Sequence, residues 1–166
     1  QTTARTVALT FLGERVGNWP PERVADMATF FSQVGYKSTK EWKEEIVFFD
    51  LDKAVAQAAG KEPPTAVFPD GTTVRLSLDK DPREVFADWL ITPDNPWFAR
   101  NIVNRIWYWL QGRGIIHEPD DARPDNPPSN PELLAWLGSE LVTGRNTPSG
   151  RRISQAIRSA AWRRRC

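Results

Sequence analysis

Asp94-Asn95-Pro96-Trp97-Phe98-Ala99-Arg100-Asn101-Ile102-Val103-Asn104-Arg105-Ile106-Trp107-Tyr108-Trp109-Leu110-Gln111-Gly112-Arg113-Gly114 is the stretch on which the fold turns. Phe98, Ile102, Val103, Ile106 and Leu110 recur at intervals of three and four, with Trp107 beside them, which predicts one apolar stripe on a helix. Asn95 supplies a capping side chain directly before a proline suited to the first turn, and Gly112 and Gly114 supply the stop. The same grammar recurs on both sides. Asp81-Pro82, with Glu84 at capping-box spacing, opens one helix. Asn130-Pro131 opens another, expected to bury Leu133, Leu134, Leu137 and Leu141.

Further toward the N-terminus, Ala4, Val7, Ala8, Phe11 and Leu12 predict a helix over 3–16. Trp19-Pro20-Pro21 starts a second, carried by Val24, Met27, Ala28, Phe31 and Val34 and ended by Gly35. Ile46–Phe49 reads as a short buried strand, and Lys53–Ala59 as a brief helix closed by Gly60. Ala66–Phe68 and Thr72–Leu76 flank Pro69-Asp70-Gly71, a hairpin turn. The expected fold is therefore mainly α, with five or six helices and a small β-hairpin or sheet at the junction between two domain pieces.

The 166 residues suit one domain or two small ones, and a single Cys, Cys166, excludes an intrachain disulfide framework. No run of eighteen apolar residues exists to span a membrane. The chain opens Gln1-Thr2-Thr3 and is expected to be a fragment. Its net charge of +1 hides an asymmetry: 144–166 carry seven Arg and no carboxylate, leaving 15 basic and 21 acidic groups before them. Ile153, Ile157 and Ala160–Ala161 fall at helical spacing in that tail. It reads either as an arm for phosphates or anionic lipid or, as preferred here, as a tail without evolved role, left by truncation or a frame change. Nucleic acid is not an expected partner.

Ile115–Ser129 is a long irregular loop, and such loops are either functional or well tied down. Within it stand His117, Glu118, Asp120, Asp121, Arg123, Asp125 and Asn126. The order lacks the acidic alternation and turn Gly of a calcium loop, so no metal is assigned. Turn capping and pairing with nearby Arg is the preferred reading. His117, Glu118 and Asp121 are the candidates for catalysis if there is any. Arg100, Asn101, Asn104 and Arg105 interleave with the apolar stripe. A partly buried Arg needs acceptors for its five donors, so Arg105 and Asn104 are expected to clasp the loop through Asp120 and Asp121. The alternative is an anion site built from Arg100 and Arg105. No phosphate loop, nucleophile elbow or zinc-protease helix is present. Of the helix-borne Trp, all but Trp97 and Trp109 are expected in the core; those two could stack on sugar rings.

Asp88-Trp89-Leu90, Asp94–Arg100, Val103–Trp107, Gly112–Ile116, Asp120-Asp121 and Asn126–Leu134 together resemble a C-terminal domain of unknown function found in large planctomycete-type proteins that often carry a cytochrome c module. Residues 4–50, through Phe11-Leu12-Gly13, Met27–Phe31 and Trp42–Val47, resemble the end of the companion domain that precedes it. The resemblance implies four pieces: 1–62 from the companion domain, 63–80 a hairpin linker, 81–143 the C-terminal helical domain, and 144–166 a basic tail outside the family pattern. Family members often have Cys-x-x-Cys-His just after the Phe-Leu-Gly segment, where Gly17-Asn18-Trp19-Pro20-Pro21 stands here. Covalent haem needs two thiols and an axial His, so no cofactor is expected on this chain. The family usually has His where Asn130 stands, and often Asp where Ala135 stands. With a further packing helix of the family unmatched, low stability or an apolar patch on Leu133, Leu137 and Leu141 is expected. The implied function is a non-catalytic structural and interaction module of an exported, extracytoplasmic multidomain protein, with that protein's other domains as partners. The alternative is a fragment of a hydrolase-like or carbohydrate-active enzyme using the 117–126 loop.

Overall fold

Ala4, Ala8 and Leu12 fall four apart, and a helix sets them in one line. In the structure, a computed structural model, all three are sealed from solvent. It describes residues 1–40, 45–59, 62–119, 121–123 and 125–144. Helix α1 (Thr2–Val7) runs into a π-helical turn, Ala8–Leu12, which Gly13 closes in the left-handed region at φ 71°. A 3₁₀ turn, Val16–Asn18, leads to α2 (Pro21–Thr29), where Pro21 occupies the first turn and Val24 and Met27 are buried.

The second helix stops short of Gly35. Val34–Ser38 is instead strand β1, antiparallel to β2 (Glu45–Phe49), with Tyr36 opposite Val47. Val34 satisfies a helical count and a strand equally well, and its pairing partner fifteen residues on, Phe49, decides between them. Gly35 is no helix stop: the Phe48 ring lies over it, and a Cβ there would meet Phe48 Cζ at 2.6 Å. Nor is β2 buried. Ile46 and Phe48 are 47% and 40% exposed, because a two-stranded ribbon cannot bury both its faces by itself. Helix α3 (Leu51–Ala58) follows, its first turn capped by Asp50, which accepts from Lys53 N at 3.1 Å. Gly60 lies outside the described residues.

The hairpin forms where Asp-Gly demands it. β3 (Thr65–Val67) pairs with β4 (Thr73–Arg75), and Gly71 turns the chain at φ 86°. Helix α4 (Pro82–Leu90) starts at Pro82, and Asp81 accepts from Arg83 N at 2.9 Å. These elements close on an aromatic centre. Phe30 stacks on Phe68 at 4.7 Å between ring centroids and meets Phe86 at 5.3 Å. Burying each such ring contributes about 2–3 kcal/mol. Ala4, Ala8 and Leu12 pack from one side, and Leu76, Leu90 and Phe98 join the same core.

Helix α5 (Phe98–Gln111) begins two residues beyond Pro96. Asn95 still caps it, its Oδ1 accepting from Trp97 N and Phe98 N, each at 3.1 Å. The expected stripe is only partly right: Ile106 and Leu110 are 39% and 73% exposed, whereas Asn101 and Asn104 are buried. Helix α6 (Pro131–Gly144) is capped by Asn130 through Leu133 N at 2.9 Å. A second, smaller core joins Val103, Ile115, Ile116 and Leu134, with Leu133, Leu137 and Leu141 half-buried against it. Those three therefore form no bare patch. The most exposed apolar side chains here are Trp109, Leu110 and Trp136, so Trp136 is not the core residue expected. The architecture is mainly α, with six α-helices and two small antiparallel ribbons among the described residues.

Candidate functional site

Asn104 explains how the long loop is held. Gly112 ends α5 in the left-handed region at φ 72°, and the chain doubles back until Ile116 lies against Asn104. The buried amide then bonds both ways, as a peptide would: Asn104 Nδ2 donates to Ile116 O at 3.2 Å, and Ile116 N donates to Asn104 Oδ1 at 2.9 Å. Gly114 makes the approach possible, since a Cβ there would collide with Ile116 O. One turn earlier, Asn101 Nδ2 donates to Thr10 O at 2.9 Å. Its side chain presses on Gly13, where a Cβ would meet Asn101 Oδ1 at 2.5 Å.

The loop beyond Ile116 is occupied with itself and with Gly13. Asp121 N donates to Glu118 O at 3.0 Å and Ala122 N to Gly13 O at 2.8 Å. Asn126 Nδ2 donates to Asp121 O at 2.9 Å. The Asp121 carboxylate is nearly sealed, its side chain 7% exposed, with Arg123 Nε 2.9 Å and Arg15 Nε 3.8 Å from Oδ1. No N–H points squarely at that oxygen, so the contact is ionic rather than a well-directed hydrogen bond. Arg123 also reaches Asp125 at 3.4 Å.

Glu14, which no local pattern marks, ties both halves together. Its carboxylate accepts from Trp19 Nε1 at 2.9 Å and from Trp97 Nε1 at 2.8 Å. Trp97 is thus half-buried with its N–H engaged, rather than free to stack on a sugar. Trp89 is held likewise, donating to Asp70 Oδ2 at 2.9 Å. Partial burial pushes the Asp70 pKa up, but hydrogen bonds from Thr72 and Trp89 outweigh it and hold this carboxyl below its ordinary 3.8. Asp79 is lowered too, chiefly by the hydroxyl of Ser77.

Residues 82–165, half of the chain, match the model of PSD1, described as a protein of unknown function (DUF1553). This chain belongs to the PSD1 family. No curated protein and no solved structure matches it. The PSD1 match includes α4, α5, the clamped loop and α6, and runs on through the arginine-rich segment, which lies outside the described residues.

Within this PSD1 chain the candidate catalytic groups stand apart. His117 and Glu118 are exposed and Asp121 is buried. Among the described residues no hydrogen bond or ion pair joins their side chains. Asp120 lies outside the described residues, and Arg105 is half-buried on α5. Arg100 is exposed and lines an apolar groove of about 540 Å³ between the start of α5 and α6, with Pro96, Pro131, Leu134 and Val142. Among the described residues no three His, Cys, Asp or Glu side chains gather as a metal-binding group, and no helix is long and apolar enough to cross a membrane. Asn104 is marked by its place on the α5 stripe, whereas the contacts of Glu14 and Arg15 have no local pattern behind them. Phe11-Leu12-Gly13-Glu14-Arg15 carried one signal, a glycine ending an apolar helix.

Proposed function

We propose that this PSD1 chain is a non-catalytic structural and interaction module of an exported multidomain protein, of the planctomycete type that often carries cytochrome c. The supporting observation is the use to which the loop's polar groups are put. Asn104, Asn126 and Ser129 bond to backbone, and Asp121 meets two guanidinium groups. Groups spent on holding shape are poor candidates for proton transfer. In this reading Arg105 completes the clasp from α5, while Arg100 stays at the surface. The partners are the other domains of the parent protein, and the place of work is outside the cytoplasm, both drawn from the resemblance of residues 4–50 and 81–143.

Co-expression with the rest of the parent protein tests this. A stable stoichiometric complex by size-exclusion chromatography with light scattering is the expected result. In the same material, Arg105→Ala lowers the melting temperature by several degrees, whereas His117→Ala and Glu118→Gln leave it unchanged. A chain that elutes alone and hydrolyses glycoside or ester substrates in a His117-dependent way would overturn the reading.

A further inference from the structure

Where the end of α5 meets the start of α6, the surface holds a recess of about 300 Å³. Trp107 and Gln111, one turn apart on α5, form one wall, and Leu133 forms part of the other. Arg113, Ser129 and Asn130 line it as well. The support beneath is tied down by hydrogen bonds. Ile115, which lines the recess, is buried, and both Ser129 N and Ser129 Oγ donate to Ile115 O, at 2.8 and 3.0 Å. Asn104 pins the next residue from behind. Arg113 is therefore carried on a turn locked at both ends, between left-handed Gly112 and crowded Gly114.

The chemistry of the lining is one-sided. Asn130 Oδ1 is spent on Leu133 N, which leaves its Nδ2 as a donor. Gln111 brings another amide, and Arg113 brings a planar fork of five N–H donors and a full positive charge. No hydrogen bond or ion pair to another described residue engages Arg113, and among the described residues no carboxylate lines the recess. Trp107 and Leu133 offer an apolar wall to the body of whatever the donors hold. A few placed donors beside an aromatic wall, at the small end of the usual pocket range of about 300–1,000 Å³, describe a small-molecule site.

We propose that this recess binds a small carboxylate borne on a ring, the carboxylate on Arg113 and the ring against Trp107. This goes beyond the module reading and does not depend on it. A sugar acid and an aromatic acid share that chemistry. The test titrates the full 166-residue chain with galacturonate, benzoate, and their neutral counterparts galactose and benzyl alcohol, following the Trp107 indole and Arg113 Nε signals by NMR. Saturable binding of a carboxylate, weakened about tenfold or more by Arg113→Gln and partly restored by Arg113→Lys, supports the site. Preference for galacturonate or for benzoate then identifies the source. Equal binding of the neutral compounds, binding indifferent to Arg113→Gln, or no saturation to about 10 mM would overturn it. Arg113 is exposed, so its substitution leaves both cores intact, which unchanged signals of Phe30 in the first core and of Ile116 in the second verify.

Discussion

Asn104 and Asp70 show how single side chains stabilise this molecule through backbone and indole partners. Replacing Asn104 by Ala leaves the N–H and C=O of Ile116 buried without acceptor or donor. Each orphaned group costs about 1–3 kcal/mol, so the variant is expected to lose about 2–5 kcal/mol. Urea unfolding would read this as a lower midpoint at unchanged slope. Asp70 makes its contribution visible in pH. Its carboxyl is held below 3.8 in the folded chain, so the stabilisation is complete above the unfolded value and is lost as pH falls through the folded one. Asp70→Asn cannot titrate. The stability difference between wild type and Asp70→Asn is therefore expected to be largest near neutrality and to shrink below about pH 4. A difference independent of pH would remove the carboxylate from the account.

At the scale of elements, three glycines separate two physical costs. Gly71 stands at φ 86° with nothing within 4 Å of a Cβ, so Gly71→Ala should lose only the left-handed penalty, about 1–2 kcal/mol. Gly35 has an ordinary φ but lies under Phe48 at 2.6 Å, so Gly35→Ala should displace β2 from β1 with no backbone penalty. Gly13 combines a φ of 71° with Asn101 at 2.5 Å, and Gly13→Ala should be the worst of the three. Thermal unfolding of the three variants gives the order. Three element starts were legible because their causes are local: Asp81, Asn95 and Asn130 all cap where their side chains reach the next N–H groups. Boundaries and faces were less so. β1 is not legible, because Val34-Gly35-Tyr36 is a strand only by virtue of Val47-Phe48-Phe49, and neither is the buried face of α5, because two buried asparagines read as solvent-facing.

For the whole molecule, the matched family region closes only the smaller of the two cores by itself. Ala4, Ala8, Leu12, Met27 and Phe30 complete the cluster around Phe86 and Phe98. Thr10, Gly13 and Glu14 accept from Asn101, Ala122 and Trp97. A chain beginning at residue 82 would expose Phe86, Leu90 and Phe98 and leave the Trp97 N–H without Glu14. It is expected to show helix by far-UV circular dichroism, poor dispersion in NMR, and no cooperative melting. Adding back a peptide of residues 1–80 should restore the dispersion. A sharply melting 82–166 chain would show that the N-terminal elements are an accessory layer.

Chain order alone determined the helix starts at Asp81, Asn95 and Asn130, the Asp-Gly hairpin turn, the stop at Gly112 and the mainly helical class, since caps, turns and amphipathic periods act over two to eight residues. The placement of Glu14 between two indoles, and the inward turn of Asn101, were decided only by tertiary structure. Trp97 and Glu14 are 83 residues apart, and Asn101 and Thr10 are 91 apart. Hydrogen bonds across such distances leave no periodic trace, because what selects the residue is the unpaired group that folding brings against it.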